Sequence, residues 1–172
     1  GAYARASRDE KERFRKAVVA EYSAQLGRAK DALGDKWAVE VDGHVHMHMI
    51  PFVFECLLSL IDRFGIRYIR LPRERYTTGV SGLFGWASVN LAKMVVLSML
   101  SAGKLRGLRE RGVSTCDVYY GTLHSGLISE TTLLRILDEI ASSPLEGTAE
   151  VVLHPAAADA DEAHLWKNNR LC

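Results

Sequence analysis

The chain has 172 residues, of which 48% are hydrophobic and 25% charged, and its formal net charge is +1 at pH 7. These values are ordinary for a globular domain that buries a core. A charge so close to zero gives no strong field that would attract nucleic acid or an anionic membrane, so neither is expected as a partner. The most apolar window, residues 89–100, contains a lysine and is too short to span a bilayer, so no transmembrane segment is expected.

The three cysteines, Cys56, Cys116 and Cys172, are odd in number and far apart, and they form no CxxC pair. This spacing argues against a disulfide framework and fits a reducing compartment, so we expect a cytoplasmic protein. Cys56 falls within an apolar helical pattern and is expected to be a small core residue.

The first third of the chain predicts a long helix followed by a strand. Residues 7–33 are charged, alanine-rich and periodic, and Gly34 is a suitable end for a helix there. Apolar and polar residues then alternate over residues 37–44, which predicts a strand.

A second helix and a second strand are predicted next. Pro51 suits the first turn of a helix that Gly65 would end. A short apolar strand is predicted over residues 66–71, with Pro72 as its end. The predicted buried face of the helix consists of Phe52, Phe54, Leu57, Leu58, Ile61 and Phe64.

The second half of the chain continues the alternation. A glycine-rich loop is predicted over residues 77–85, an apolar helix over 86–103 and a short strand over 113–120. Ser129 is a suitable N-cap for a helix over residues 130–142. The predicted core-facing residues of this helix are Leu133, Leu134, Leu137 and Ile140.

A last short strand is predicted over residues 149–153, so helices and strands alternate along the chain. This order predicts an α/β fold with a mainly parallel sheet. In such folds, functional residues gather where strands end. Three conspicuous features fall at such places: a histidine run after the first strand, Arg70 at the end of the second and His154 at the end of the last.

The histidine run is the strongest candidate site. Residues 39–51 read VEVDGHVHMHMIP, and an extended backbone would place Glu40, Asp42, His44, His46 and His48 on one face. Neutral imidazole is the commonest protein ligand for metals such as zinc, and a carboxylate can bind the ion or orient a ring. We therefore predict a divalent-metal site in which one or two histidines bind the ion. The alternative is that these are loop or hydrogen-bonded core histidines.

Three further positions carry reactive side chains. His154, in EVVLHPA, is suited to act as a general acid or base, or is a structural histidine. His124 and Ser125 are conceivable as a nucleophilic pair, although adjacent residues seldom point at each other. Arg70 is suited to bind a carboxylate or a sugar hydroxyl, or to pair with a surface acid.

With these segments in view, the chain resembles the YdjC-like carbohydrate deacetylases, a family that includes chitooligosaccharide deacetylases and hopanoid-biosynthesis associated deacetylase-like proteins. Residues 42–51, DGHVHMHMIP, match its D-S-H-x-H-x-H-x-x-P run, with Gly43 in place of the usual Ser. Three more segments are similar and follow in order: G-I-x-x-x-R at residues 65–70, F-Y-G-x-x-x-S-G at 119–126, with Tyr119 in place of Phe, and E-[VI]-x-x-H-P at 150–155.

The resemblance implies a partial or distorted (β/α) barrel that hydrolyses the N-acetyl group of a small amino sugar or a glycolipid head group. It also implies a divalent ion, Mg²⁺ or Zn²⁺, as cofactor. His44 matches the second metal-binding histidine of the family, and His154 matches the histidine that would protonate the leaving amine. The residues that would position the ion or bind the sugar are Asp42, His46, His48, Arg70, Tyr120 and Ser125.

The chain also departs from the family pattern. The A-D-D-F-G strand that supplies the metal-binding Asp and a further segment that supplies the first metal-binding His have no match, and the segment after His154 is short. Residues 1–172 are therefore interpreted as a single deacetylase domain that is truncated at its N-terminus and shortened at its C-terminus. One confident ligand is too few for tight metal binding, so weak binding and weak or absent activity are expected. Open sheet edges would favour a homo-oligomer.

Two other classes of protein remain open at this point. An amidohydrolase-type enzyme would also use an HxH pair, but it needs further ligands on later strands, where only His124 and His154 are available. A degenerate barrel that acts as a non-catalytic interaction module would use the same open edges to bind a partner.

Overall fold

The computed structural model describes residues 2–34, 39–75, 84–125, 128–144 and 147–153. The chain divides into two compact units, one made of residues 1–70 with 104–115 and the other of residues 71–103 with 116–172. That they belong to one domain stays a prediction. Within the described ranges, no helix is both long enough and apolar enough to cross a membrane.

The first unit begins with the helices α1 (Ala2–Arg5) and α2 (Arg8–Leu33). Ser7 caps α2: its hydroxyl accepts the N–H of Glu10, and the Glu10 carboxylate accepts the N–H of Ser7. Gly34, at φ 53°, ends the helix in a conformation that other residues adopt only at a steric cost. The predicted first helix is therefore confirmed.

The predicted second helix is present but divided into α3 (Pro51–Leu58) and α4 (Ile61–Phe64). Gly65 ends α4 in the left-handed conformation, at φ 64°. On α2, Arg15 forms an ion pair with Glu55 of α3. The buried side chains of this region are Val53, Phe54, Cys56, Leu57, Leu60, Ile61 and Phe64, which confirms Cys56 as a core residue.

Two short parallel strands, β1 (Glu40–Val41) and β2 (Tyr68–Ile69), form the sheet of the first unit. The far side of β2 pairs with Ser114, whose carbonyl accepts the N–H of Ile69 at 3.0 Å. The strand predicted over residues 37–44 is wrong beyond Val41, because strand pairing ends there and a 3-10 turn begins at His44. Residues 35–38 lie outside the described part.

The helix α5 spans Phe84–Arg109 and is longer than predicted at both ends. It starts inside the predicted loop, of which residues 77–83 lie outside the described part. It also continues past Gly103 through leucine, lysine and arginine residues, which favour helix.

The helix α6 spans Glu130–Ser142, as predicted, and the Ser129 hydroxyl accepts the N–H of Thr132 at 3.2 Å. Its predicted buried face is wrong in part. Leu134 and Leu137 are 53% and 46% exposed, whereas Ile136 is fully buried. The helix therefore presents to the sheet the face that contains Ile136 and Ile140.

The sheet of the second unit joins β3 (Val118–Tyr120) to β4 (Ala149–Val151) in parallel, and Glu74 forms a parallel bridge with Tyr119. Ile136 packs against this sheet in a small core. The described part of the chain is a mixed helix and sheet structure in which all strand pairs are parallel, which is compatible with the predicted α/β class. The described strands form no closed barrel, so the barrel itself stays a prediction.

We expect Ile136→Ala to lower the free energy of unfolding by about 2–5 kcal/mol, because it opens a cavity in a fully buried position. The matched control is Leu134→Ala on the same helix, which should cost less than about 1 kcal/mol because Leu134 is half exposed. Urea unfolding of the two variants measures both values. Equal losses would show that α6 presents a different face to the sheet.

Candidate active site

The histidine run forms a tight turn rather than a strand. Residues His44–Met49 make a 3-10 helix in which Val45 and His46 have left-handed backbones, at φ 51° and 57°. The N–H of His46 donates to the Gly43 carbonyl at 2.8 Å. The prediction that the histidines share one face of an extended segment is therefore wrong, because a period of two holds only for extended backbone. His44 is exposed, His46 is partly buried and His48 is fully buried.

Left-handed backbone is costly for a β-branched residue such as Val45, by roughly 1–2 kcal/mol. Such strain persists only where surrounding contacts hold it, and it is commonest at functional sites. The contacts that hold this turn come from His48.

His48 joins the turn to the end of β2 through both ring nitrogens. Its Nδ1 accepts the N–H of Gly43 at 3.0 Å, and its Nε2 lies 2.7 Å from the carbonyl oxygen of Arg70. A carbonyl only accepts, so the ring is the neutral tautomer with the proton on Nε2. Burial lowers the pKa of His48 below its ordinary value, although the hydrogen bond to Arg70 opposes the shift. With both nitrogens occupied, His48 holds the turn and has no lone pair left for an ion.

Gly43 makes this arrangement possible. A Cβ atom on Gly43 would lie 2.5 Å from Nδ1 of His48, closer than real Cβ atoms approach a neighbour. The family pattern has a Ser at this position. Glycine at position 43 is therefore explained sterically: the His48 ring lies too close to the backbone there to admit a Cβ atom.

Asp42 and Arg70 form an ion pair at the carboxyl ends of β1 and β2. Parallel pairing continues past the strands, since the N–H of Arg70 donates to the Val41 carbonyl at 3.0 Å. The structure thus brings together three predicted site residues: Asp42, His48 and Arg70. The Asp42 side chain is 42% exposed, so solvent weakens the pair.

The described residues do not form a complete metal site. No group of three His, Cys, Asp or Glu side chains with ligand geometry occurs within the described ranges. Asp42 is paired with Arg70 and His48 is occupied on both nitrogens, which leaves His44 as the exposed histidine of the turn. The residues present do not by themselves fit a tightly bound ion.

A second polar cluster lies at the carboxyl end of β3, in the other unit. The buried carboxylate of Glu74 accepts the N–H groups of three consecutive residues: Gly121 at 2.9 Å, Thr122 at 2.9 Å and Leu123 at 3.0 and 3.2 Å. Burial raises the pKa of Glu74, and the N–H donors oppose that rise. We call residues 121–125 the glycine turn.

The glycine turn contains Ser125 and follows Tyr120. The Tyr120 hydroxyl lies 3.2 Å from the Glu139 carboxylate of α6, to which it donates, and the Ser125 side chain is partly exposed. His124 is buried, which lowers its pKa, and its Nε2 atom has no hydrogen-bond partner among the described residues. Ser125 therefore does not bond to Nε2 of His124, as a nucleophilic pair of the usual kind would require. His154 lies outside the described residues.

Glu74 is a residue of this cluster that the sequence pattern did not reveal. Arg70 was selected because it is a polar side chain at the end of a predicted strand. The same criterion applies to Glu74, because Glu74 forms a parallel bridge with Tyr119. Its position after Pro72 concealed the signal, since Pro72 was interpreted as the end of strand pairing.

Comparison with known proteins identifies the family of the chain. The sequence model of the YdjC-like protein family matches residues 2–171. The chain belongs to the YdjC-like protein family. No solved structure gives a significant match.

Among curated proteins, the chain is similar to carbohydrate deacetylases of vertebrates. The Mus musculus protein is 31% identical over 144 residues, which are 80% of this chain and 44% of the relative. The Homo sapiens protein is 30% identical over 156 residues, 83% of this chain and 47% of the relative. The Danio rerio protein is 39% identical over 57 residues, 33% of this chain and 18% of the relative. The chain covers slightly less than half of the length of each of the first two relatives.

We expect Gly43→Ala to lower the free energy of unfolding by about 1–3 kcal/mol, because the added methyl displaces His48 and breaks its bond to the Gly43 N–H. The matched control is Gly27→Ala in α2, where nothing lies within 4 Å of the new methyl and helix propensity favours alanine. Chemical unfolding measures both. If Gly43→Ala were as stable as the native chain, the His48 contact would be disproved.

We also expect stability to fall as the pH drops below about 6.5. The unfolded chain then binds a proton at His48, whereas the folded chain resists it because its pKa is lowered, so protonation favours unfolding. The stabilisation that neutral His48 provides is therefore complete above about pH 6.5. It is lost as the pH falls towards the lower pKa that His48 has in the folded chain.

Unfolding of the native chain and His48→Asn at matched pH values isolates this effect. Asn keeps an acceptor for the Gly43 N–H but does not titrate, so the stability gap between the two proteins should narrow towards acid pH. A gap that is constant between pH 8 and pH 5, values chosen to bracket the ordinary histidine pKa of about 6.5, would contradict a buried neutral His48.

Proposed function

We propose that this chain forms part of a carbohydrate deacetylase that removes N-acetyl groups from amino sugars. Family membership and the names of the relatives support the deacetylase class. The observation that carries the proposal is the meeting of Asp42, His48 and Arg70 at the carboxyl ends of β1 and β2, within the segment that matches the histidine motif of the family. In proteins with parallel strands, this edge is where ligands bind.

The reaction adds water to the acetyl carbonyl carbon, breaks the C–N bond and releases acetate and a free amine. The nitrogen must gain a proton as it leaves, and an imidazole is suited to provide it near neutral pH. We assign this role to His154. We assign contacts with the sugar to His46, Arg70, Tyr120 and Ser125, and the support of the turn to Asp42 and His48.

We include a divalent ion, Mg²⁺ or Zn²⁺, in the proposal, with His44 as a ligand. The described residues do not complete its coordination, so no step of the reaction is assigned to the ion, and weak binding by this chain is proposed. Weak or absent activity of the isolated chain follows from the same shortage of ligands.

The remaining parts of the proposal concern ligand, location and assembly. The ligand is a small N-acetylated sugar or a glycolipid head group, and the protein is cytoplasmic. Self-association through open sheet edges is proposed, because the described strands leave unpaired edges. The family match favours this reading over an amidohydrolase.

A non-catalytic interaction module is the second candidate function. The exposed apolar side chains of α5 favour it, because a helix that is apolar on its outer face normally has a partner. They are Val89, Leu91, Val95, Val96 and Met99. Such a module would bind no acetylated sugar, whereas a deacetylase would.

We expect acetate release from N-acetylglucosamine oligomers to be slow for the native chain and to fall by about 10²-fold or more for His154→Ala. His44→Ala should also lose activity, and a chelator should reproduce its effect on the native chain. His164→Ala, at a histidine outside every motif described above, is the matched control. Coupled acetate assays at high protein concentration, with calorimetric titration of the oligomers, measure turnover and binding. A native chain that neither hydrolyses nor binds any oligomer would refute the deacetylase proposal.

A further inference from the structure

The glycine turn is held by a carboxylate that belongs to the protein itself. Three consecutive backbone N–H groups that point at one anion form a nest, the arrangement with which proteins commonly bind phosphate or carboxylate ligands. Here Glu74 fills the nest with four contacts of 2.9–3.2 Å, and its side chain is buried. These N–H groups are therefore not available to a ligand, and their role is to fix the path of the turn.

Gly121 fits this path closely. Its φ is 145°, a value that side chains rarely permit, and an added Cβ would lie 3.1 Å from Cβ of Val152 and 3.2 Å from its carbonyl oxygen. The N–H of Val152 donates to the Tyr120 carbonyl at 2.9 Å. The turn therefore lies against Val152, which directly follows β4 at the carboxyl edge of the sheet. Val152 precedes His154 by two positions in the chain.

The opposite side of the turn is held by Asn90 of α5, whose Nδ2 donates to the Leu123 carbonyl at 3.2 Å. Asn90 Oδ1 and His124 Nε2 are both buried without a hydrogen-bond partner among the described residues. A buried imidazole nitrogen without a partner among the described residues, next to a backbone conformation that favours glycine, is commoner at functional segments than elsewhere.

We propose that the glycine turn is a sugar-binding element and that Glu74 is its positioning residue, which sets the turn through backbone N–H groups without touching the sugar. The partly exposed Ser125 hydroxyl is the group that the turn presents to an uncharged hydroxyl or acetamide of the ligand. This inference rests on the proposed function, because it takes an acetylated sugar as the ligand.

The test uses Glu74→Gln and Glu74→Asp in the full chain. Gln replaces one carboxylate oxygen by an NH₂ group, which cannot accept a hydrogen bond, so it removes part of the contact with the N–H groups of residues 121–123. Asp keeps the carboxylate but on a shorter side chain. Asp117→Asn is the matched control. Asp117 also accepts a backbone N–H, that of Thr148 at 2.9 Å, but at the amino ends of β3 and β4, away from the proposed binding edge.

Amide hydrogen exchange of residues 121–123 reports the turn, and NMR titration with N-acetylglucosamine oligomers reports binding. We expect Glu74→Gln to lose protection of these amides and to raise Kd by about tenfold or more, because small misplacements of binding groups are costly. Glu74→Asp should recover part of the affinity, and Asp117→Asn should bind like the native chain. Where turnover is measurable, KM should rise more than kcat falls.

The possible failures are distinguishable. If the native chain binds oligomers and Glu74→Gln binds them equally well despite lost amide protection, the role of Glu74 is refuted while the deacetylase proposal stands. If the native chain binds no oligomer, the proposed function fails and this inference fails with it. Should Glu74→Gln not fold, Glu74→Asp decides: native affinity in that variant, with changed exchange at residues 121–123, refutes the inference.

Discussion

The backbone N–H groups that directly follow a parallel strand need a hydrogen-bond acceptor when they are buried, and this requirement shapes both candidate sites. In the first unit, the ring of His48 accepts the N–H of Gly43 just after β1. In the second unit, the carboxylate of Glu74 accepts the N–H groups of Gly121, Thr122 and Leu123 just after β3. Both acceptors are buried side chains. His48 also bonds to the Arg70 carbonyl, and Glu74 lies beside β3 through its bridge to Tyr119, so each acceptor couples a turn to a neighbouring segment. Each turn is therefore tied to the core by one buried side chain, while Val45 and Met47 of the first turn are themselves exposed.

This coupling explains why polar side chains gather where they do. Asp42 and Arg70 follow adjacent parallel strands and form an ion pair, and the carbonyl of Arg70 accepts from His48. The same residues lie in the segments whose sequence resembles the motifs of the YdjC-like carbohydrate deacetylases. Gly43 marks a specific difference from the usual motif, because it admits the His48 ring where a Ser side chain would collide with it. Buried neutral His48 thereby supports a strained turn from which His44 projects to solvent.

The pattern of residues predicted the helices better than the turns. The predicted cap at Ser129 and the predicted glycine end at position 34 located helix ends correctly, because capping is a local interaction. The histidine run was misassigned because alternation along the chain does not distinguish a strand from a turn held by a distant carbonyl. Leu134 and Leu137 were placed in the core by helical spacing, yet packing against the sheet selected Ile136 instead. Spacing defines an apolar stripe, but only the neighbouring element determines which part of it is covered.

What the amino-acid sequence determined by itself was the α/β class, the positions of most helices, the family and the strand ends at which polar residues collect. These follow from local propensity and from residue order, which are properties of the chain alone. Tertiary structure decided that His48 is occupied on both nitrogens, that Asp42 pairs with Arg70, and that Glu74 belongs with a turn 47 to 49 residues later. These contacts join segments far apart in the chain, and their geometry exists only once parallel pairing has aligned the strand ends.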